Sequence, residues 1–337
     1  MSLHRLTRIV MGVPDVAATA AYYQEFGLTP VKSPAAVPAG TASPVAVASP
    51  AAVHEATARA ARCVFATADG GEQLDLAYAP RRRLLELGVG AGNPDDLDRV
   101  AASLARLGMP FERTPGAVLA HDPGTEVLVR VEIAPQVSSG PGPVPAYNAP
   151  GVTPRLHERA PGILREAPVR PRKLGHVVLG STDQETSQRF FQEGIGFKVS
   201  DSVPGLAAFM RCSTDHHNVL VQQAPVAFLH HTSWQVDDVD EVGRGASAML
   251  EADPGRHVWG LGRHFIGSNF FWYLKDPAGN FSEYYADLDC VVDDALWKPG
   301  VWDDARALYA WGPPPPPSFL APDDLAALMT GAHSDGE

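Results

Sequence analysis

The order of apolar and polar positions repeats between the two halves of the chain. Residues 8–27 and 176–196 each read as a short apolar strand, a glycine, an aspartate and then a helix with two adjacent aromatic residues, Gln-Glu and a closing glycine. Two further matches follow in the same order: NPDDLDRVAASLARLG resembles QVDDVDEVGRGASAMLEA, and HDPGTEVLVRVEI resembles KDPAGNFSEYYAD. Because chance rarely supplies three matches in register, the pattern predicts a duplicated unit of strands and helices.

Proline separates these units. The chain has 31 prolines in 337 residues, nearly twice the ordinary share of about 5%. They concentrate at 33–52, 135–171 and 313–317, where helices and central strands are disfavoured. The first of these segments is predicted to be a long loop. The predicted domains are 1–136, a proline-rich linker over 137–170, a second domain over 171–300 and a C-terminal tail over 301–337.

Composition narrows the class of protein. Hydrophobic residues make up 45% and charged residues 20% of the chain, so both halves can bury a core. A net charge of -12 argues against binding to nucleic acid or anionic membranes. No apolar run has the length of a transmembrane helix, and the N-terminus does not resemble a signal peptide. Cys63, Cys212 and Cys290 are far apart, which favours reduced thiols and a cytoplasmic location.

Histidines are concentrated in the second half, where residues 176–264 contain seven of the 12. His176 and His231 fall in predicted strands, and Glu283 falls in a third strand after the turn signal KDPAGN. A hairpin at this turn places Tyr273 opposite Glu283. Two imidazoles and one carboxylate form a facial triad with three open coordination positions, which suits Fe(II) that binds a substrate and O2 together.

A structural role for these histidines is the alternative, since most strand histidines are not metal ligands. The first half provides an internal comparison. By sequence, Arg8 and Val89 stand at the positions of the two histidines, and Glu132 is the candidate match of Glu283. The first copy therefore keeps the apolar scaffold without either histidine, so the fold itself does not require them.

The segments KLGHVVL, DHHNVLV, HHTSWQV and GRHFIGSNFFWYLKDPAGNFSEYYAD resemble the type I extradiol ring-cleaving catechol dioxygenases of the vicinal oxygen chelate superfamily, also called the glyoxalase/bleomycin resistance/dioxygenase superfamily. The resemblance covers about residues 5–136 and 170–300. It implies an α+β fold of two domains, each with two βαβββ modules that form curved mixed sheets. It also implies a metal-free N-terminal domain beside a catalytic, metal-binding one.

The resemblance also assigns residue roles. The implied metal ligands are His176, His231 and Glu283, for Fe(II) with Mn(II) as the alternative. The implied acid–base and substrate-binding groups are His217, beside O2, and His264 and Tyr273, beside the substrate oxygens. Residues expected at the substrate and O2 pocket are Val178, His216 and Trp259, with core packing as the alternative for the tryptophan.

Two histidine doublets leave a choice between neighbours. Spacing and strand alternation favour His217 over His216 and His231 over His230. The first member of each doublet is then expected to pack or to form hydrogen bonds behind the site. The tryptophans of the tail predict that it folds back over the second domain.

The implied function is extradiol cleavage of a catechol with O2 to a hydroxymuconic semialdehyde type product, by a homo-oligomer. The alternatives are another metal-dependent enzyme of the superfamily, such as a glyoxalase or an isomerase-like enzyme, and a non-catalytic protein that binds aromatic ligands. The sequence does not identify the catechol. Arg256, Arg263 and Arg306 are candidate partners for a substrate carboxylate.

Overall fold

The first half of the chain folds around one eight-stranded mixed sheet. A computed structural model describes residues 3–31, 62–137, 140, 142, 146–303 and 308–334, without the side chains of 331–334; the loop predicted at 33–52 lies outside them. The elements are β1 (Leu3–Val13), α1 (Val16–Glu25), β2 (Thr29–Pro30), β3 (Arg62–Thr67), β4 (Gly71–Tyr78), β5 (Arg83–Ala91), α2 (Pro94–Arg106), β6 (Glu112–Thr114), β7 (Ala117–His121) and β8 (Leu128–Ile133). The strand order in the sheet is β2-β3-β4-β1-β5-β8-β7-β6.

The second half repeats this plan in a nine-stranded sheet. Its elements are β9 (Lys173–Ser181), α3 (Gln184–Arg189), β10 (Lys198–Val203), β11 (Ala207–Arg211), β12 (Val219–Gln223), β13 (Phe228–Gln235), α4 (Val239–Ala252), β14 (His257–Arg263), β15 (Phe270–Lys275), β16 (Phe281–Ala286) and β17 (Gly300–Val301). The strand order is β14-β15-β16-β13-β9-β12-β11-β10-β17. Two short helices follow, α5 (Pro317–Leu320) and α6 (Leu325–Ser334). Both halves therefore contain two βαβββ modules, which confirms the predicted α+β class. None of the described helices has the length and apolar character needed to cross a membrane.

The polar residue after each module's first strand begins the helix. Asp15, Asn93, Asp183 and Asp238 each accept a hydrogen bond from the backbone N–H three residues later. Such a cap satisfies a donor that the first helical turn leaves unpaired. The aromatic pair of each repeat is buried, although in the second copy it lies in a π-helical segment, Phe190–Ile195, that continues α3.

Strand pairing corrects two of the matches between the halves. His231 lies opposite Val178 on β9 and Phe281 on β16, whereas Glu86 lies opposite Val10 on β1 and Leu128 on β8. Glu86, not Val89, is thus the counterpart of His231. The sequence match paired the acidic segments of the two halves, whereas the equivalent helix caps are Asn93 and Asp238. Alignment on these caps shifts the match between the preceding strands by three residues.

The same register gives Arg130, not Glu132, as the counterpart of Glu283, since Leu128 and Phe281 occupy equivalent positions. Together with Arg8, the three counterparts form an ion triplet. The guanidinium groups of Arg8 and Arg130 lie 2.7 and 3.0 Å from the same oxygen of Glu86. The first half therefore has ion pairs among its own side chains at the positions where the second half has two histidines and a glutamate.

Contacts between the two halves include residues of α1, the residue that follows it and a buried arginine. The ring of Phe26 stacks on Tyr284, with centroids 3.9 Å apart, and the Tyr23 hydroxyl lies 2.9 Å from the Ser282 hydroxyl. Arg82, only 3% exposed, donates two hydrogen bonds to the carboxylate of Asp324. It also donates to backbone and side-chain oxygens of the second half.

Replacing Arg82 by methionine is expected to lower the free energy of unfolding by about 3 kcal/mol, because buried acceptors lose their donor. Urea denaturation of the purified protein measures this change. The matched control is Arg106→Met at an exposed helix end, with an expected change of about 0.5 kcal/mol or less. Equal effects of the two substitutions would contradict the assigned role of Arg82.

Candidate functional site

Three adjacent central strands of the second sheet bring His176, His231 and Glu283 together. His176 on β9 and Glu283 on β16 both lie opposite Ser233 of β13. His231 lies two residues before Ser233, and residues two apart on a strand point to the same face. All three residues are at least 95% buried, and each lies on a strand of the sheet.

The polar atoms of this group converge on one point. Glu283 Oε2 lies 3.1 Å from His176 Nε2 and 3.7 Å from His231 Nε2. One ligand atom of each residue lies within 4.8 Å of the others, and the described residues contain no second such group. His231 Nε2 and Glu283 Oε2 are buried without a hydrogen-bond partner among the described residues. Because an uncompensated buried carboxylate is costly, the group fits a divalent metal ion.

Asn269 and Tyr273 complete the surroundings of Glu283. The Asn269 side chain donates a hydrogen bond of 3.1 Å to Glu283 Oε1, which orients the carboxylate and leaves Oε2 free. Tyr273 lies directly opposite Glu283 on β15, as the predicted hairpin requires. The sequence did not predict the role of Asn269, since an amide beside an aromatic strand carries no periodic signal.

A cavity opens beside the group, with about 490 Å³ of empty space that is partly open to solvent. The polar wall contains the three sequence-predicted groups His217, His264 and Tyr273 next to the two metal-candidate histidines. His230, which was expected behind the site, also lines the cavity. His217 packs on His176 with ring centroids 4.2 Å apart. His264 Nε2 lies 2.8 Å from the Tyr273 hydroxyl. The apolar wall is formed by Val178, Phe209, Leu220, Ile266, Leu308 and Phe319.

Of the three residues expected at the pocket, the structure places only Val178 in the wall. His216 lies behind His217, between its ring and the carboxylate of Asp201, at 3.1 and 3.3 Å. Trp259 lies behind Tyr273 with nearly parallel rings. Both side chains belong to the layer that supports the cavity, because the neighbouring polar residue covers each of them.

Leu308 and Phe319 show that the C-terminal tail reaches the cavity. The expected return of the tail over the second domain is confirmed by the pairing of β17 with β10 and by a bridge between Arg263 and Trp311. Sequence reasoning did not single out either cavity residue, since a lone apolar residue in a proline-rich tail has no period.

Burial controls the protonation of the cavity histidines. Desolvation lowers the pKa of His217 and His231 well below the ordinary value, and neighbouring histidines add to this effect. The pKa of His264 is also lowered by burial, against an opposing contribution from Glu283. Burial lowers the pKa of His230 to about 4 and, with the charge of Glu283, raises that of Tyr273 well above its ordinary value. At pH 7 these imidazoles are neutral and the phenol is protonated.

The neutral histidines predict a loss of stability in mild acid. As pH falls below about 6.5, the unfolded chain takes up protons at these four histidines, while the folded protein does so only at lower pH. The contribution of these histidines to the free energy of unfolding is therefore fully present above pH 6.5. It is lost as the pH falls toward 4, by up to about 1.4 kcal/mol per pH unit for each histidine. Urea unfolding of metal-free protein at pH 7.5 and 5.5 measures this, and equal stabilities would contradict it.

Comparison with known proteins agrees with the geometry. The glyoxalase/bleomycin resistance protein/dioxygenase superfamily matches residues 173–284. Metapyrocatechase 2 of Cupriavidus necator is 32% identical over 333 residues, which cover 95% of this chain and 92% of that protein. An iron-dependent extradiol dioxygenase of Rhodococcus jostii is 28% identical over 41% of this chain and 50% of its own length.

Solved structures share the fold. The Mn(II)-bound glyoxalase from Novosphingobium aromaticivorans matches with a TM-score of 0.68 and 24% identity, covering 94% of this chain and 93% of that one. The substrate complex of homoprotocatechuate 2,3-dioxygenase from Brevibacterium fuscum matches with a TM-score of 0.68 and 17% identity, covering 95% and 92%. With the full-length similarity to metapyrocatechase 2, the chain belongs to the extradiol dioxygenases of the glyoxalase/bleomycin resistance protein/dioxygenase superfamily.

Proposed function

We propose that this enzyme uses O2 to cleave the ring of an uncharged catechol at the bond adjacent to its two hydroxyl-bearing carbons. The reaction would take place at Fe(II) held by His176, His231 and Glu283. The observation that carries the proposal is the pair of unpartnered buried atoms, His231 Nε2 and Glu283 Oε2, of which the histidine lines an open cavity. Two imidazoles and one carboxylate are the ligand set of Fe(II) oxygenases with open positions. Mn(II) is the alternative metal, since relatives named for each metal exist.

The protein groups around the site would bind the catechol and move its protons. When bound, the metal supplies positive charge that lowers the pKa of a coordinated phenol and positions the reactants. His264 is neutral and its Nε2 can accept a proton from a substrate hydroxyl, while Tyr273 can donate a hydrogen bond to a substrate oxygen. His217, on the other side of His176, would hold a proton beside the O2 pocket that Val178 lines.

The cavity wall favours a substrate without a carboxylate. Its lining residues include no lysine or arginine among the described parts of the chain, and Gln222 is the neutral polar group away from the histidines. Two of the candidate arginines are committed elsewhere: Arg256 pairs with Glu25, and Arg263 pairs with Asp287. The third, Arg306, lies outside the described residues.

Oxygen uptake and product absorbance after anaerobic loading with Fe(II) or Mn(II) test this proposal. Catechol, 3-methylcatechol, 2,3-dihydroxybiphenyl and homoprotocatechuate are compared by kcat/KM. We expect a yellow ring-cleavage product and at least about a tenfold preference for the uncharged catechols over homoprotocatechuate, about 1.4 kcal/mol in the barrier. A preference for homoprotocatechuate would overturn the substrate class, and faster turnover with Mn(II) would overturn the choice of metal.

We further propose a cytoplasmic homo-oligomer. The three free cysteines support a reducing compartment, and the family resemblance supports the oligomer. Light scattering of the purified protein measures its mass, and a monomer across micromolar concentrations would contradict the second part.

A further inference from the structure

The C-terminal tail contributes more to the cavity than a wall. The ring of Phe319 lies 4.7 Å from that of Tyr273 and 4.8 Å from that of Trp259, measured between centroids. Two backbone carbonyl groups of the tail also point inward. The Phe319 carbonyl lies 2.7 Å from His230 Nε2, and the Leu308 carbonyl lies 2.6 Å from His264 Nδ1. Each carbonyl therefore contacts a histidine at the site.

The contact of the Phe319 carbonyl with His230 extends through His230 to the candidate metal ligand His231. His230 Nδ1 lies 2.8 Å from His231 Nδ1. A carbonyl oxygen only accepts hydrogen bonds, so His230 must carry its proton on Nε2. The Nδ1 atom of neutral His230 is then an acceptor, and His231 must carry its proton on Nδ1. This leaves the lone pair of His231 Nε2 free, and this is the atom beside Glu283 that has no partner.

The Leu308 carbonyl contacts His264 directly, without an intervening histidine. The Leu308 carbonyl requires the proton of neutral His264 on Nδ1, so Nε2 is an acceptor. The Tyr273 hydroxyl, 2.8 Å away, then donates to it. When a substrate hydroxyl takes the place of the Tyr273 hydroxyl, the same lone pair of His264 Nε2 can accept its hydrogen bond.

We propose that the carbonyl groups of Leu308 and Phe319 set the tautomers of His264 and His231, with His230 as the positioning residue that links the tail to His231. The segment 308–320 is then part of the active site, and metal binding depends on its docking. This inference rests on the proposed metal site. Loss of a group that orients a ligating histidine typically weakens metal binding about 10- to 100-fold.

Full-length variants at His230 separate positioning from packing. His230→Phe keeps a ring but removes both nitrogens, whereas His230→Asn can present an oxygen to the Nδ1–H of His231. We expect the dissociation constant for Mn(II), measured by calorimetry, to rise about 10- to 100-fold for phenylalanine and to remain within about threefold for asparagine. A purely structural role predicts the reverse order, since asparagine loses the packed ring, and this result would overturn the inference.

Substitutions in the tail test the dependence on docking. Phe319→Ala removes the buried anchor, and Leu320→Ala changes the exposed neighbour as a matched control. We expect only the first to weaken Mn(II) binding. If Phe319→Ala weakened the binding of catechol but left the Mn(II) affinity unchanged, the tail would only line the cavity, and its role in the metal site would be overturned.

A readout without metal distinguishes this inference from the proposed function. Long-range ¹H–¹⁵N correlation spectra of the metal-free full-length protein report which ring nitrogen carries each proton. We expect Nδ1–H for both His231 and His264. Nε2–H at either residue would overturn the inference even if the wild type binds metal and cleaves catechols. Nδ1–H at both residues without Mn(II) or Fe(II) binding would instead overturn the proposed function.

Discussion

Exchange of Glu283 for glutamine is expected to lower kcat/KM for catechol at least about 1000-fold, which corresponds to about 4 kcal/mol in the barrier. The carboxylate is fully buried, and its Oε2 is the atom nearest to both candidate histidine ligands. An amide in its place has no negative charge to balance a divalent cation and points an N–H₂ group toward the metal position. Steady-state kinetics and metal analysis of the purified variant measure both losses.

The control for this exchange is Glu132→Gln in the first sheet. Glu132 accepts a hydrogen bond from the Thr7 hydroxyl and lies outside the second-half site. We expect its activity and metal content to remain within about twofold of the wild type, since effects of substitutions away from a site are small. Full activity with bound metal in Glu283→Gln would remove Glu283 from the ligand set.

Exchange of His217 for asparagine is expected to lower kcat about 100- to 10,000-fold while the metal remains bound. The imidazole lines the cavity, contacts the ring of His176 and is neutral because burial lowers its pKa. It is not one of the three residues whose ligand atoms converge, so its loss removes a proton-transfer group but none of the candidate metal ligands. Kinetics under saturating O2 and metal analysis separate these effects.

His121→Gln is the matched control, since this histidine is exposed on β7 of the first sheet. It is expected to change neither quantity. If His217→Asn loses metal as well as activity, His217 supports the metal site and the proposed proton transfer is wrong.

Strand periodicity predicted much of this architecture. An alternating side-chain pattern places His176, His231 and Glu283 on one face wherever their strands are neighbours, and the repeat indicated that the strands belong to equivalent modules. The match between the halves failed at Val89 because similar acidic segments were aligned instead of the helix caps. A shift of three residues is invisible until the cross-strand partners of Glu86 are known.

Residues far apart in sequence defined the rest of the site. His216 was expected both among the pocket residues and as a group that forms hydrogen bonds behind the site, and its ring lies between His217 and the carboxylate of Asp201. Phe319 could not be predicted, since it meets His230 across 89 residues of chain. Neither contact leaves a local pattern, because neither depends on helical or strand periodicity.

The sequence by itself determined a duplicated unit of strands and helices and the chemistry of the metal-candidate group, because both follow from short-range periodicity and from the ligand preferences of imidazole and carboxylate. The division of each half into two βαβββ modules was implied by the family resemblance. The tertiary structure decided which first-half residues replace that group and which tail carbonyl groups face the histidines. Those relations depend on strand register and on the path of the tail, which are set by packing between distant segments.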